Sequence, residues 1–232
     1  RFHLTLIAVT GSNGKTTVKN MIAAILGETG SGLATQGNLN NDIGVPLTLL
    51  RLKSGDRHAV IEMGMNHPGE IDYLTKLASP TIALINNAAA AHLAGLGSVE
   101  AVARAKGEIY AGLAADGIAV VNADDSYADL WRTLAAPHRV ITFGLDRPAD
   151  ISAEYQLDAG GSTIHLKTPQ GGISMRLSLL GRHNVMNALA ASSASLAAGV
   201  SLADIQAGLE KLKSVSGRLE VKRGWNGARV LD

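Results

Sequence analysis

At 232 residues the chain can hold one substantial α/β domain or two small ones, and 46% hydrophobic against 18% charged residues places it clear of disordered sequences. A formal net charge of +1 without a long basic run, and only 3% aromatics, argues against a nucleic-acid surface as the main function. The absence of cysteine excludes disulfides, thiolate metal sites and a cysteine nucleophile and fits a reducing compartment, and no apolar run is long enough for a membrane span.

Residues 4–10 form an apolar, β-branched run that ends in the turn Gly11-Ser12-Asn13-Gly14, and Lys15, Thr16 and Thr17 open an amphipathic stretch over 15–27. A strand feeding a glycine-rich turn and a helix is the context a phosphate cradle needs. Gly11 and Gly14 permit tight turns, and consecutive N–H groups at the helix start point at an anion. Lys15 supplies a mobile positive charge, and the Thr16 hydroxyl can ligate magnesium. Val9 stands where the general Walker A pattern has glycine, so the match is to the shorter form Gly-x-x-Gly-Lys-Thr-Thr. The same residues could simply cap a helix; the strand before them favours nucleotide phosphate.

Gln36–Gly44 is an ordered polar loop ahead of a helix opening near Pro46. Its amides, including Asn38, Asn40 and Asn41, either meet a polar ligand or bond their own backbone. A strand at 58–63 carries Glu62 near its end. Burying that carboxylate unpaired is costly, so a P-loop magnesium ion is its expected partner, with an edge salt bridge as the alternative. Asn66 follows, then a helix over 69–78 between Pro68 and Pro80. The next strand, 81–86, leads into Asn86 and on to His92, whose place beyond a strand end makes it a candidate second-metal ligand, although magnesium prefers oxygen. Lys106 lies in a helical stretch over 98–114 and by pattern is an ordinary helix lysine.

Strands at 117–122 and 139–143 bracket a helix over 126–135. The alternation predicts an α/β fold, doubly wound, with a mostly parallel P-loop sheet flanked by helices and ligands gathered at the carboxyl ends of the strands. Period-two segments at 162–168 and 173–177, joined by a turn at 170–172, predict a small antiparallel β appendage near 150–180. Helices return at 183–198 and 202–213, the second with Ser201 as N-cap. Asn184 and Asn187, one turn apart, could clamp a purine edge or cap their helix. Arg218 follows a glycine and would suit a triphosphate as a forked donor. The chain opens on a strand and ends on a strand-like Val230-Leu231-Asp232, so both ends look cut from something longer.

The run Thr10–Thr17, Glu62, Asn86 with His92, Ala105-Lys106, Asn122-Ala123-Asp124, Gly181–Asn184 with Asn187, and Gly217-Arg218 together span nearly the whole chain. In order and approximate spacing they resemble the central, ATP-binding domain of the Mur ligases, the amide-forming enzymes of peptidoglycan synthesis. The resemblance implies ATP and two magnesium ions. Lys15 would contact the β- and γ-phosphates, with Thr16 and Glu62 on the first ion and His92 helping to hold the second. Lys106 looks like the family's carbamylated lysine, a further metal ligand. Asn184 and Asn187 would approach adenine, and Arg218 the γ-phosphate.

Residues 37–46 and 65–71 look most like the last ligase of the series. That implies UDP-N-acetylmuramoyl-tripeptide and D-alanyl-D-alanine as substrates, joined through an acyl phosphate, with Asn38, Asn40, Asn41 and Asn66 as substrate contacts. Residues 1–232 are then the central domain, with the N-terminal UDP-binding and C-terminal domains absent, and the fragment binds nucleotide without completing turnover. A cytoplasmic monomer without nucleic-acid partners is expected. A folylpolyglutamate or cyanophycin synthetase-like ligase, or a P-loop ATPase that is not a ligase, are the alternatives. Neither a hydrophobic strand ending in Asp nor a guanine-selecting motif supports the last.

Overall fold

The structure, a computed structural model, describes residues 4–90, 96–212, 221–223 and 229–231. His92 and Arg218 lie outside the described residues.

Six short strands form the main sheet: β1 (Thr5–Thr10), β2 (Gly32–Ala34), β3 (His58–Glu62), β4 (Ile82–Ile85), β5 (Ile118–Asn122) and β6 (Arg139–Phe143). Their order is β2-β3-β1-β4-β5-β6, and every pairing is parallel. Such a sheet needs cover on both faces, and alternate residues of each strand supply it. Ile7, Val9, Val60, Leu84 and Val120 face one core, which also holds α1 (Lys15–Gly27), α6 (Arg182–Ala197) and α7 (Leu202–Glu210). Leu6, Ala8, Ile61, Ile85 and Val121 face the other, with α2 (Gly44–Leu49), α3 (Glu70–Ala78), α4 (Val99–Gly107) and α5 (Ala128–Ala135). Helix α6 is buried over most of its length, including Ser192, Ser193 and Ser195, and its small residues let it sit inside the molecule.

The antiparallel appendage has three strands rather than the two expected: β7 (Ser152–Asp158), β8 (Gly161–Thr168) and β9 (Gly171–Leu177). Ile164, Leu166, Met175 and Leu177 join the core that contains α1. β7 escapes a pattern reading because its inward positions are only partly buried and its Leu157 is exposed; pairing with β8 from Ser152↔Lys167 to Asp158↔Gly161 makes it a strand. β2 is too short to show a period and exists through its pairing with β3. A separate antiparallel pair, β10 (Val221–Arg223) and β11 (Arg229–Leu231), lies near the end of the chain.

The helix expected over 98–114 stops at Gly107 and tightens into a 3₁₀ turn, Glu108–Gly112. Tertiary hydrogen bonds redirect the chain there. The Glu108 carboxylate accepts the Gly69 and Asp72 N–H groups at the start of α3, and the Ile109 carbonyl accepts the Thr75 hydroxyl at 2.8 Å. The expected cap at Ser201 is present, its Oγ accepting the Asp204 N–H at 3.1 Å. Among the described residues, no helix is long and apolar enough to cross a membrane.

Candidate functional site

Strand order decides where a ligand can sit. β1 lies between β3 and β4, so the loop after β1, Glu62 at the end of β3 and Asn86 just after β4 meet at one edge of the sheet. This is the crevice at the carboxyl ends of strands that doubly wound sheets use for ligands. A cleft of about 800 Å³ opens there. One wall is Ser12–Thr16 with Lys19 and Asn20, and the other is Thr35–Asn38, Asn40 and Glu62.

The phosphate loop is held by what lies beneath it. Ser12 N–H donates to the Asn87 carbonyl at 2.9 Å and Asn13 N–H to Asn87 Oδ1 at 2.9 Å. Ser12 Oγ accepts the Ala89 N–H at 2.9 Å. Gly14 adopts φ +77°, and a Cβ there would come within 2.5 Å of Asn187 Oδ1 and 2.7 Å of Asn86 Nδ2. Only glycine fits that crowded, left-handed position. Among the described residues no side chain caps α1, so its first N–H groups remain for an anion. Lys15 Nζ folds back onto the Gly11 carbonyl at 2.8 Å.

A ladder of amides joins distant parts of the chain under the loop. Asn122 Nδ2 donates to the Asn86 carbonyl at 2.9 Å, and Asn86 Nδ2 donates to the Asn13 carbonyl and to Asn187 Oδ1, both at 3.0 Å. Asn187 Nδ2 in turn donates to Asn184 Oδ1 at 3.2 Å, and Asn184 Nδ2 to the Leu180 carbonyl at 2.9 Å. The two helix asparagines are buried, tied to the loop on one side and to the start of their own helix on the other. Asp124 bridges strand ends as well, its carboxylate accepting the N–H groups of Leu145, Asp146 and Arg147.

Glu62 is 2% exposed. Its Oε1 accepts from Asn40 Nδ2 at 2.9 Å, whereas Oε2 is buried with no hydrogen-bond partner among the described residues. An orphaned buried carboxylate oxygen beside a phosphate loop fits a hard cation, and the oxygen-donor set of Glu62 and Thr16 suits magnesium. No group of three or more His, Asp or Glu side chains converges among the described residues. Few protein ligands are needed for an ion that shares substrate phosphates.

Lys106 is not the solvated helix lysine that its sequence pattern suggests. It is 1% exposed. Burial, and then the charge of Lys15, push its pKa down to about 7. About half of the amine is then uncharged at neutral pH, and the uncharged amine is the form that can react with an electrophile.

The other candidates divide. Asn38 and Asn40 line the cleft, but Asn41 and Asn66 do not. Asn41 Oδ1 accepts the Gly44 N–H at 2.9 Å and turns the chain into α2, while Asn66 is exposed ahead of α3. Lys19, missed from sequence, lines the cleft and donates to the Thr35 carbonyl at 2.8 Å. Its spacing of four from Lys15 on a helix was the available signal.

The family description "Mur ligase middle domain" matches residues 9–195, most of the chain. The chain belongs to that Mur ligase family. This middle domain is 50% identical over 218 residues to the UDP-N-acetylmuramoyl-tripeptide–D-alanyl-D-alanine ligase of Haemophilus influenzae, covering 92% of the chain and 47% of that protein. It superposes on a crystal structure of MurF from Acinetobacter baumannii with TM-score 0.93 and 43% identity, over 96% of this chain and 49% of that one. MurF ligase of Thermotoga maritima, in complex with ADP, gives TM-score 0.81 and 29% identity over 95% and 51%. The chain thus spans about half the length of the relatives it matches.

Proposed function

We propose that this Mur ligase domain is the nucleotide-binding centre, over residues 1–232, of an ATP-dependent ligase that joins D-alanyl-D-alanine to UDP-N-acetylmuramoyl-tripeptide. The observation that carries the reading is the 50% identity over 92% of the chain to a ligase of that name. The cleft supplies matching chemistry. In the whole enzyme the N-terminal UDP-binding and C-terminal domains complete the site, and the fragment alone binds nucleotide without turning over. The reading includes a cytoplasmic location and a monomeric state.

A carboxylate is a poor acyl donor because oxide is a poor leaving group. In this mechanism a peptide carboxylate oxygen attacks the γ-phosphorus of ATP, ADP leaves, and an acyl phosphate forms. The D-alanyl-D-alanine amine then attacks the acyl carbon, loses a proton, and inorganic phosphate departs as the amide forms. Lys15 and the N–H groups at the start of α1 hold the phosphates, and Arg218 takes the γ-phosphate. In this reading the start of α6, with Asn184 and Asn187, serves the adenine end, while the amides of these two residues hold the loop from below. Asn38 and Asn40, which line the cleft, serve the acceptor.

Thr16 and Glu62 would hold one magnesium ion, and His92 with Lys106 as its carbamate a second. When bound, the ions supply positive charge against the transferring phosphoryl group. The chain's own contribution is positioning, through a loop fixed in place before substrate arrives.

In the full-length protein, Lys15→Ala should abolish phosphate release that depends on both substrates while leaving the melting temperature in place. Near-normal turnover in that variant, or wild-type phosphate release indifferent to muramoyl tripeptide, sinks the assignment. Dependence on a folate or an amino-acid polymer would point instead to a different ligase of the same fold.

A further inference from the structure

Lys19 stands one helical turn beyond Lys15 on the face of α1 that lines the cleft, and only 4% of it is exposed. A buried ammonium is costly unless acceptors replace its lost water, and Lys19 Nζ donates to the Thr35 carbonyl. Thr35 directly follows β2 and is itself buried, and its Oγ1 accepts the Glu62 N–H at 2.9 Å. Asn40, at the far end of the same loop, donates to Glu62 Oε1, and its carbonyl accepts the Gly64 N–H at 2.7 Å. Lys19 therefore joins the helix that carries Lys15 to a chain of hydrogen bonds through Thr35, Glu62 and Asn40. Between those anchors, Gln36, Gly37 and Asn38 are exposed in the cleft wall. β2 contributes only three residues ahead of them, and at the entry to the loop the Thr35 N–H donates to the Val60 carbonyl at 3.0 Å while the Thr35 carbonyl is held by Lys19.

We infer that Lys19 is a positioning residue that sets the separation between the phosphate loop and the asparagine-rich loop, and so places the acceptor substrate against the nucleotide. The acceptor role rests on the ligase reading; the mechanical role of holding the loop does not. Two lysines one turn apart thus divide the labour, Lys15 serving the phosphates and Lys19 the opposite wall.

Lys19→Met in the full-length protein keeps the apolar stem and removes the ammonium, and Lys19→Arg restores a charged donor. Lys19→Met should lower kcat/KM for the acceptor about tenfold or more. It should leave ADP affinity, measured by calorimetry, within about twofold. Amide hydrogen exchange at Glu62, Asn40 and Gly64 should speed up, and Lys19→Arg should recover most of each change. Unaltered exchange at those amides in Lys19→Met overturns the proposal whichever acceptor the enzyme uses. A loss confined to ADP affinity overturns it too, because Lys19 would then serve the phosphates directly. If Lys19→Met does not fold, Lys19→Gln takes its place with the same readouts. Failure of the wild-type protein to turn over muramoyl tripeptide defeats only the ligase reading, and the exchange comparison still decides Lys19.

Discussion

Lys106 shows how far a residue's chemistry can depart from its sequence context. Burial, and then the charge of Lys15, lower its pKa to about 7, so about half of the amine is uncharged at neutral pH, where an ordinary lysine is almost wholly protonated. Carbon dioxide adds only to the free amine, forming an N–C bond and releasing a proton. Occupancy of the proposed carbamate should therefore rise as pH is raised through about 7, followed by NMR with labelled bicarbonate. Lys106→Ala should lose both the signal and the activity, with activity partly restored by short carboxylic acids. An alanine variant that keeps full activity would leave Lys106 a packing residue. The linkage has a definite sign. The folded chain binds fewer protons than the unfolded chain between about 7 and 10.5, so the penalty of burying this ammonium is full below that window and fades as pH rises.

At the scale of elements, strand β1, its glycine turn and α1 form one unit whose geometry is held from outside. Gly14 needs a left-handed conformation, and the atoms that crowd it are amides of Asn86 and Asn187 already committed to hydrogen bonds. They cannot yield cheaply. Gly14→Ala should cost about 1–3 kcal/mol in urea unfolding and weaken ADP binding, while Gly55→Ala, where nothing among the described residues lies within 4 Å of a new Cβ, should be nearly neutral in both. Equal effects would mean that the turn tolerates a side chain. The glycines at 11 and 14 were legible as turn residues from their place between a strand and a helix. The amides that make Gly14 irreplaceable were not, because Asn187 lies 101 residues from Asn86 in the chain.

At the scale of the whole molecule, two cores share one sheet, and α6 is the helix buried deepest among the described residues of the first. Leu189→Ala removes a fully buried side chain from α6 and should cost about 2–5 kcal/mol by chemical denaturation. Leu50→Ala, at a position 82% exposed, should cost under about 0.5 kcal/mol. Comparable losses would contradict this placement of the core. The same scale accounts for the misread helix. Residues 98–114 carry one helical pattern, yet the chain leaves α-geometry at Glu108 because α3 offers N–H groups for its carboxylate. No local periodicity announces such a capture.

By itself the sequence determined the alternation of apolar strands and amphipathic helices, the glycine turn after β1, the cap at Ser201 and the carboxylate at the end of β3. Each of these depends on neighbours within a few residues, or on the period of a strand or helix. Tertiary structure alone decided that about half of the Lys106 amine is uncharged at neutral pH, that Lys19 faces the cleft and holds Thr35, that one oxygen of Glu62 has no partner among the described residues, and that Asn184 and Asn187 support the loop from below. Those properties arise from desolvation and from hydrogen bonds between distant segments, which exist only once the sheet has brought the ends of β1, β3 and β4 to one edge.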